Sequence, residues 1–214
     1  MKKGIVQTAI ILIYLAFLLT ESATVEAQIK VTTLDSKKVP KGIQYSGEIK
    51  EAFQFNDKDG IHIVIITETG SYINKKFKHN ENGTDAEVFA YHYIIRPESV
   101  DQVWKVYDVV KDCPFDIEAS FIKNAFQITD LNNDGIAEIW LMYKTVCRSD
   151  VSPHDLKIIM YVGHQKFAMR GHSRIRVSEK DYMGGEYKFD TTFLKGPATF
   201  REFAKKLWSK HVNQ

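Results

Sequence analysis

The run Ile61-His62-Ile63-Val64-Ile65-Ile66-Thr67 constrains the fold more than any other part of the chain. Its β-branched side chains crowd a helical backbone but pack well on a pleated one, and the run is too short for a good helix. Similar stretches recur. Residues 86–96 (stopped by Pro97), 102–110, 136–146, 156–162, 166–169 and 174–177 each read as a strand, with 136–146 the longest. Gly70-Ser71 predicts a turn that sends the chain back through 72–78 as a hairpin partner. Residues 80–85 form a polar loop, and Gly163-His164-Gln165 a further turn. Only the C-terminus changes period. Phe200, Phe203, Ala204, Leu207, Trp208 and His211 recur at helical spacing, with Pro197 suited to the first turn and Arg201, Lys205, Lys206 and Lys210 on the other face. The expected fold is mainly β (α+β): an antiparallel meander of hairpins with one amphipathic helix, 197–212, packed on the sheet. A basic helix lying on a membrane surface is the alternative for that segment.

The first 27 residues read as a secretory signal. Lys2 and Lys3 precede an apolar stretch over residues 5–19, and Val25-Glu26-Ala27 places small residues where signal peptidase cuts, before Gln28. That stretch is shorter than the roughly 18 residues a membrane-spanning helix needs. The expectation is a single exported β-rich domain, 28–214, in the periplasm or at the cell surface, with no stable membrane span once the signal is removed. Its formal net charge of +2, with no basic helix or Arg-rich cluster, argues against a nucleic-acid binder.

Cys113 and Cys147 are the only cysteines. In an oxidising compartment they are expected to form a disulfide, closing a loop of about 35 residues at a stabilisation of roughly 4 kcal/mol on the chain-entropy model. Two buried free thiols are the alternative. Structural zinc is disfavoured, because paired histidines are missing beside them.

Asp130-Leu131-Asn132-Asn133-Asp134-Gly135-Ile136-Ala137-Glu138 alternates oxygen-bearing side chains at positions 1, 3 and 5, then bends at glycine. Ca²⁺ takes about six to eight oxygen ligands, which such a loop can point inward. It is not an EF-hand: position 12 is Leu141, and the flanks read as strands. It resembles the Asp-x-Asn-x-Asp-Gly-x-x-Asp loop of FG-GAP repeats at Asp130, Asn132, Asp134 and Gly135, with Glu138 in place of the last aspartate. The resemblance implies a Ca²⁺ ligand set of Asp130, Asn132, Asp134, the Ile136 carbonyl and Glu138. A metal-free turn, in which Asp and Asn side chains bind their own backbone amides, is the other reading. Phe55-Asn56-Asp57-Lys58-Asp59-Gly60-Ile61 echoes the loop without its outer ligands and reads as an Asp-Gly turn opening a hairpin.

The segment 128–138, with Tyr143-Lys144, the run 147–153, the run 156–160, residues 55–69 and Gly184-Gly185-Glu186-Tyr187, is similar to a family of small exported bacterial proteins catalogued as surface polysaccharide biosynthesis proteins. That resemblance implies an exported protein tied to the surface glycan layer, and it carries no catalytic residues with it.

Beyond Cys147, the residues Arg148, Asp150, His154 and Asp155 form either a polar binding surface for a sugar or peptide or a solvated strand connection. The seven histidines lack metal-ligand spacing, and no nucleophile elbow is present. Trp140 and Trp208 read as core. Two functions are therefore carried forward. The first is a non-enzymatic accessory or binding protein of the surface glycan layer, partnered by a glycan or an envelope protein. The second is a small glycan-modifying hydrolase using a carboxylate pair from Glu138, Asp150, Asp155, Asp181, Glu186 and Asp190. Oligomeric state is left open.

Overall fold

A computed structural model describes residues 29–213, so the expected signal segment 1–27 lies outside the described residues. The first sheet is an antiparallel meander of β1 (Val31–Thr33), β2 (Glu48–Asp57), β3 (Gly60–Tyr72), β4 (Thr84–Ile95) and β5 (Val100–Cys113), ordered as in the chain. The chain then crosses to a second sheet. This contains β6 (Asp116–Phe121), β7 (Gln127–Thr129), β8 (Glu138–Arg148), β9 (Asp155–Val162), β10 (Gln165–His172) and β13 (Tyr187–Phe189). Its order is β13-β10-β9-β8-β6, with β7 pairing the other end of the β8 edge that β6 occupies. A small hairpin of β11 (Arg174–Arg176) and β12 (Tyr182–Gly184) stands apart, and helices α1 (Thr191–Lys195) and α2 (Ala198–His211) close the chain.

Strand parity sorts the side chains into layers. Ile139, Leu141 and Tyr143 of β8 meet Val64 and Ile66 of β3 and Val88 and Ala90 of β4 between the sheets. The intervening Trp140 and Met142 face the other way, against Phe193, Phe200, Ala204, Leu207 and Trp208 of the helices. On the outer face of the first sheet, Ile63, Ile65, Phe89 and Tyr91 are covered by Ile43, Leu34 and Val39 of the N-terminal segment. Both faces of the central strands are therefore buried, which explains why residues 61–67 read as an almost unbroken apolar run. The helix stripe predicted from its period is the one buried: Phe200, Ala204, Leu207 and Trp208 are each 5% exposed or less. That burial leaves no apolar face for a membrane surface.

The fold is thus mainly β and antiparallel, with the C-terminal helix packed on a sheet, as expected. Three local expectations are corrected. Gly70-Ser71 does not reverse the chain: β3 runs on to Tyr72, with a register shift between Glu68 and Ser71, and its next partner starts only at Thr84. Gly70 adopts φ +66°, so it serves an irregularity within a strand instead of a hairpin turn. The longest strand is β5, at 14 residues against 11 for β8. A second short helix, α1, precedes α2, capped at its start by Asp190, whose side chain accepts from the Phe193 amide.

Candidate functional site

At one end of the sandwich, the two Asp-Gly loops noticed in the sequence lie against each other. The Lys58 amide donates to the Gly135 carbonyl (2.9 Å), and the Ala137 amide to Asp57 Oδ2 (2.9 Å). Asp57 Oδ1 accepts from the Asp59 amide (2.8 Å) and meets His62 Nε2 at 2.6 Å. His62 Nδ1 in turn meets His92 Nε2 at 2.8 Å inside the core. Burial, then the neighbouring His62, pushes His92 down to about 3, so it is neutral across the physiological range. Burial alone would raise the Asp57 carboxyl. The bonds from His62, Ala137 and Asp59 outweigh it and hold the group below its ordinary value. This end is a clasp joining the two sheets.

The expected calcium ligands lie in the same region. Asp130 accepts from the amides of Asp134 and Gly135 (both 3.0 Å), and Asp134 from that of Ile136 (2.8 Å) and from Asn132 Nδ2 (2.8 Å). Glu138 is fully buried and accepts from Thr129 Oγ1 (2.6 Å) and the Leu131 amide (2.9 Å). Burial, then the charges of Asp130 and Asp134, raises its carboxyl. Among the described residues no three His, Cys, Asp or Glu side chains gather as a metal-holding group. In this structure the Asp130 and Asp134 oxygens accept from the loop's own amides, in the manner of an Asx turn.

The opposite end is different. Cys113, at the end of β5, is bonded to Cys147 of β8 across a Cα–Cα distance of 5.8 Å, which staples the first sheet to the second. Beside this bridge the sheets part around a cleft of about 360 Å³, lined by Asp108 and Val110 of β5, Cys147 and Arg148 of β8, and the Ser152–Lys157 region. Arg148, His154 and Asp155, three of the four residues singled out beyond Cys147, line this cleft. The fourth, Asp150, does not; it is exposed in the connecting loop.

His154 is 5% exposed, yet neither ring nitrogen has a hydrogen-bond partner, and Nη1 of Arg148 is likewise buried and unpaired. Buried polar atoms left unpaired cost on the order of 1–3 kcal/mol each, so they call for a ligand or a function. The loop holding His154 is fixed by reciprocal bonds with Ser173: His154 amide to Ser173 Oγ (3.1 Å) and Ser173 amide to the His154 carbonyl (2.9 Å). Burial, then Lys144 and Arg148, pushes His154 down to about 4, so near neutrality it presents one acceptor and one donor. Opposite it, Asp108 is bound by Lys157 and accepts from Tyr143 Oη (3.0 Å). Although burial alone would raise it, these partners hold its carboxyl below the ordinary range.

Asp108 and Lys157 carry no local sequence signal for this site. Each stands in a strand pattern, and only the pairing of the sheets brings them to the cleft. Of the six carboxylates considered for hydrolysis, only Asp155 lines it. Glu138 and Asp190 are held in structural bonds, Asp181 bonds Ser178 (2.7 Å), and Glu186 meets His172 at 2.6 Å. A further cleft of about 520 Å³ on the outer face of the first sheet surrounds Glu87. There Tyr72 and Tyr107 both donate to Glu87, and the Lys105 ammonium sits over Phe89 at 4.8 Å. With those polar groups paired, that cleft asks less of a ligand.

No helix among the described residues is long and apolar enough to cross a membrane. Compared with known protein families, with curated proteins and with solved structures, the chain matches none.

Proposed function

We propose that this chain is an exported binding protein of the surface glycan layer, acting without catalysis, and that its ligand occupies the cleft beside Cys113–Cys147. The observation that carries the reading is a set of buried, unpaired polar atoms, Nη1 of Arg148 and both ring nitrogens of His154, on two residues that line a stapled cleft. Sugar hydroxyls supply donors and acceptors of the kind these atoms lack. The disulfide supports maturation outside the reducing cytoplasm. A glycan array with the purified protein tests the reading. Glycan binding lost in the double variant Arg148→Gln/His154→Ala supports it, and a blank array, or binding unchanged in that variant, removes it.

One part of this reading is separable. A calcium ion at the Asp130 loop would require Asp130 and Asp134 to exchange amide hydrogen bonds for metal contacts, Asn132 to give up its Nδ2 bond to Asp134, and Glu138 to leave Thr129 and the Leu131 amide. That part rests on the nine-residue motif. A calcium-dependent rise in melting temperature, lost in Asp130→Ala, supports it; an unchanged melting temperature removes calcium and leaves the cleft reading intact. The alternative to simple binding is hydrolysis, favoured by one observation: two carboxylates, Asp108 and Asp155, line the same cleft. Release of reducing ends from a bound glycan, abolished in Asp108→Asn, would establish it over simple binding.

A further inference from the structure

Three strands of the second sheet place cations in one row. Lys157 of β9 pairs directly with Arg170 of β10, and Arg170 with Lys188 of β13. Directly paired residues of antiparallel strands share a face, here the face turned toward the first sheet, since Ile159 and Ala168 of the same parity lie in the inter-sheet core. The first sheet does not cover this row: Arg170 and Lys188 are exposed. Like charges placed opposite one another across strands destabilise a sheet. One of the three is answered, Lys157 by Asp108. Arg170 and Lys188 make no ion pair among the described residues. The nearby acids of the next row, Asp155 and Glu186, are both engaged by His172, at 3.5 and 2.6 Å.

This row lines a second cleft, of about 390 Å³, together with Tyr187, His172 and the His172-bound carboxylates of Asp155 and Glu186. Asp155 and Lys157 line both this cleft and the one holding Arg148 and His154, so the two adjoin. Lys166, four residues before Arg170 on the same face of β10, feels the crowding as well: burial and then the Arg170 charge lower its ammonium. An extended groove results, with unpaired cations along it and an unpaired arginine and histidine at one end.

We infer that the groove binds a polyanionic glycan, a chain whose repeating carboxylates or phosphates meet Arg170, Lys188 and Arg148 while its hydroxyls satisfy His154. The inference rests on the binding reading above and adds the charge class of the ligand. Linear anionic repeats match a row of cations spaced by strands about 4.8 Å apart, and recognition through exposed charge weakens as salt screens it.

Isothermal titration of the purified protein with oligogalacturonate and with neutral dextran oligosaccharides separates the possibilities. The expected result is binding of oligogalacturonate alone, weakening between 50 and 500 mM NaCl. Arg170→Gln and Lys188→Gln should each weaken it by about threefold to fivefold, with no loss in Lys210→Gln on the exposed helix face. Both targets are exposed strand residues, and an unchanged melting temperature verifies that the variants fold. Dextran binding as tightly as oligogalacturonate overturns the charge class; if that binding is lost in Arg148→Gln/His154→Ala, the glycan reading itself survives. Oligogalacturonate binding indifferent to Arg170 and Lys188 overturns the groove. Binding of neither probe counts against both.

Discussion

Replacing Asp57 by alanine tests the clasp between the two sheets. The carboxylate is 2% exposed and serves three donors: His62, the Ala137 amide and the Asp59 amide. Asp59 is exposed, so water can replace that third bond. Ala137 and His62 are buried and would be left unpaired. At about 1–3 kcal/mol for each stranded buried group, the loss is about 4 kcal/mol. For a domain of this size that lowers the melting temperature by roughly 8–16 °C. Asp59→Ala, a neighbouring carboxylate outside the clasp, should change stability by less than about 0.5 kcal/mol. The pH dependence sharpens the test. Because the folded carboxyl is held below its ordinary value, its contribution is present above the unfolded pKa near 3.8 and is lost as pH falls through the lower, folded one. The gap between wild type and Asp57→Ala should therefore be constant from neutrality to about pH 4 and narrow below it. Thermal melts followed by circular dichroism from pH 7 to 2.5 read both effects. A drop under 2 °C, or a gap that ignores acid, would refute the assignment of Asp57 as the joint.

Three further outcomes follow from the same physics. Cys113→Ser/Cys147→Ser opens a crosslink spanning 34 residues of sequence and should cost about 4 kcal/mol in denaturant melts, chiefly through a freer unfolded chain; non-reducing mass spectrometry of wild type should find no free thiol. Gly171→Ala would place a Cβ 1.9 Å from the Glu186 carbonyl oxygen, forcing β13 away from β10. It should lower stability by about 2 kcal/mol and weaken any ligand that needs Lys188, as calorimetry would show. His154, held neutral in the fold by burial and then by Lys144 and Arg148, takes up a proton more readily when unfolded. Its effect is absent above pH 6.5 and destabilises progressively as pH falls toward 4; His154→Gln should flatten that part of the stability curve.

Much of the fold is legible in the chain because burial on both faces leaves a continuous signal. The runs at 61–67, 86–96 and 136–146 are central strands, and their β-branched and aromatic content is what two covered faces require. β6, β7 and β13 escaped notice because they are edge strands, short and part-exposed, with no uniform pattern. Gly70-Ser71 misled because a glycine with positive φ serves a strand irregularity as readily as a turn, and the sequence does not distinguish them. The helix stripe was legible because its period has no counterpart in the strands. At the site, Arg148, His154 and Asp155 stood out by following a cysteine expected to be bridged. Asp108, Lys157, Arg170 and Lys188 could not, since only strand register sets these distant positions side by side. The Asp130 loop shows the reverse case: the alternation was visible, yet whether its oxygens face a metal or their own amides depends on backbone geometry.

The cleft reading is tested most directly by NMR of the protein carrying ring-labelled histidine, titrated with oligogalacturonate. His154 resonances should move with saturation while those of His62 and His92, buried at the far clasp, stay fixed. Movement at His62 and His92 with His154 unchanged would contradict the placement of the ligand site beside the disulfide.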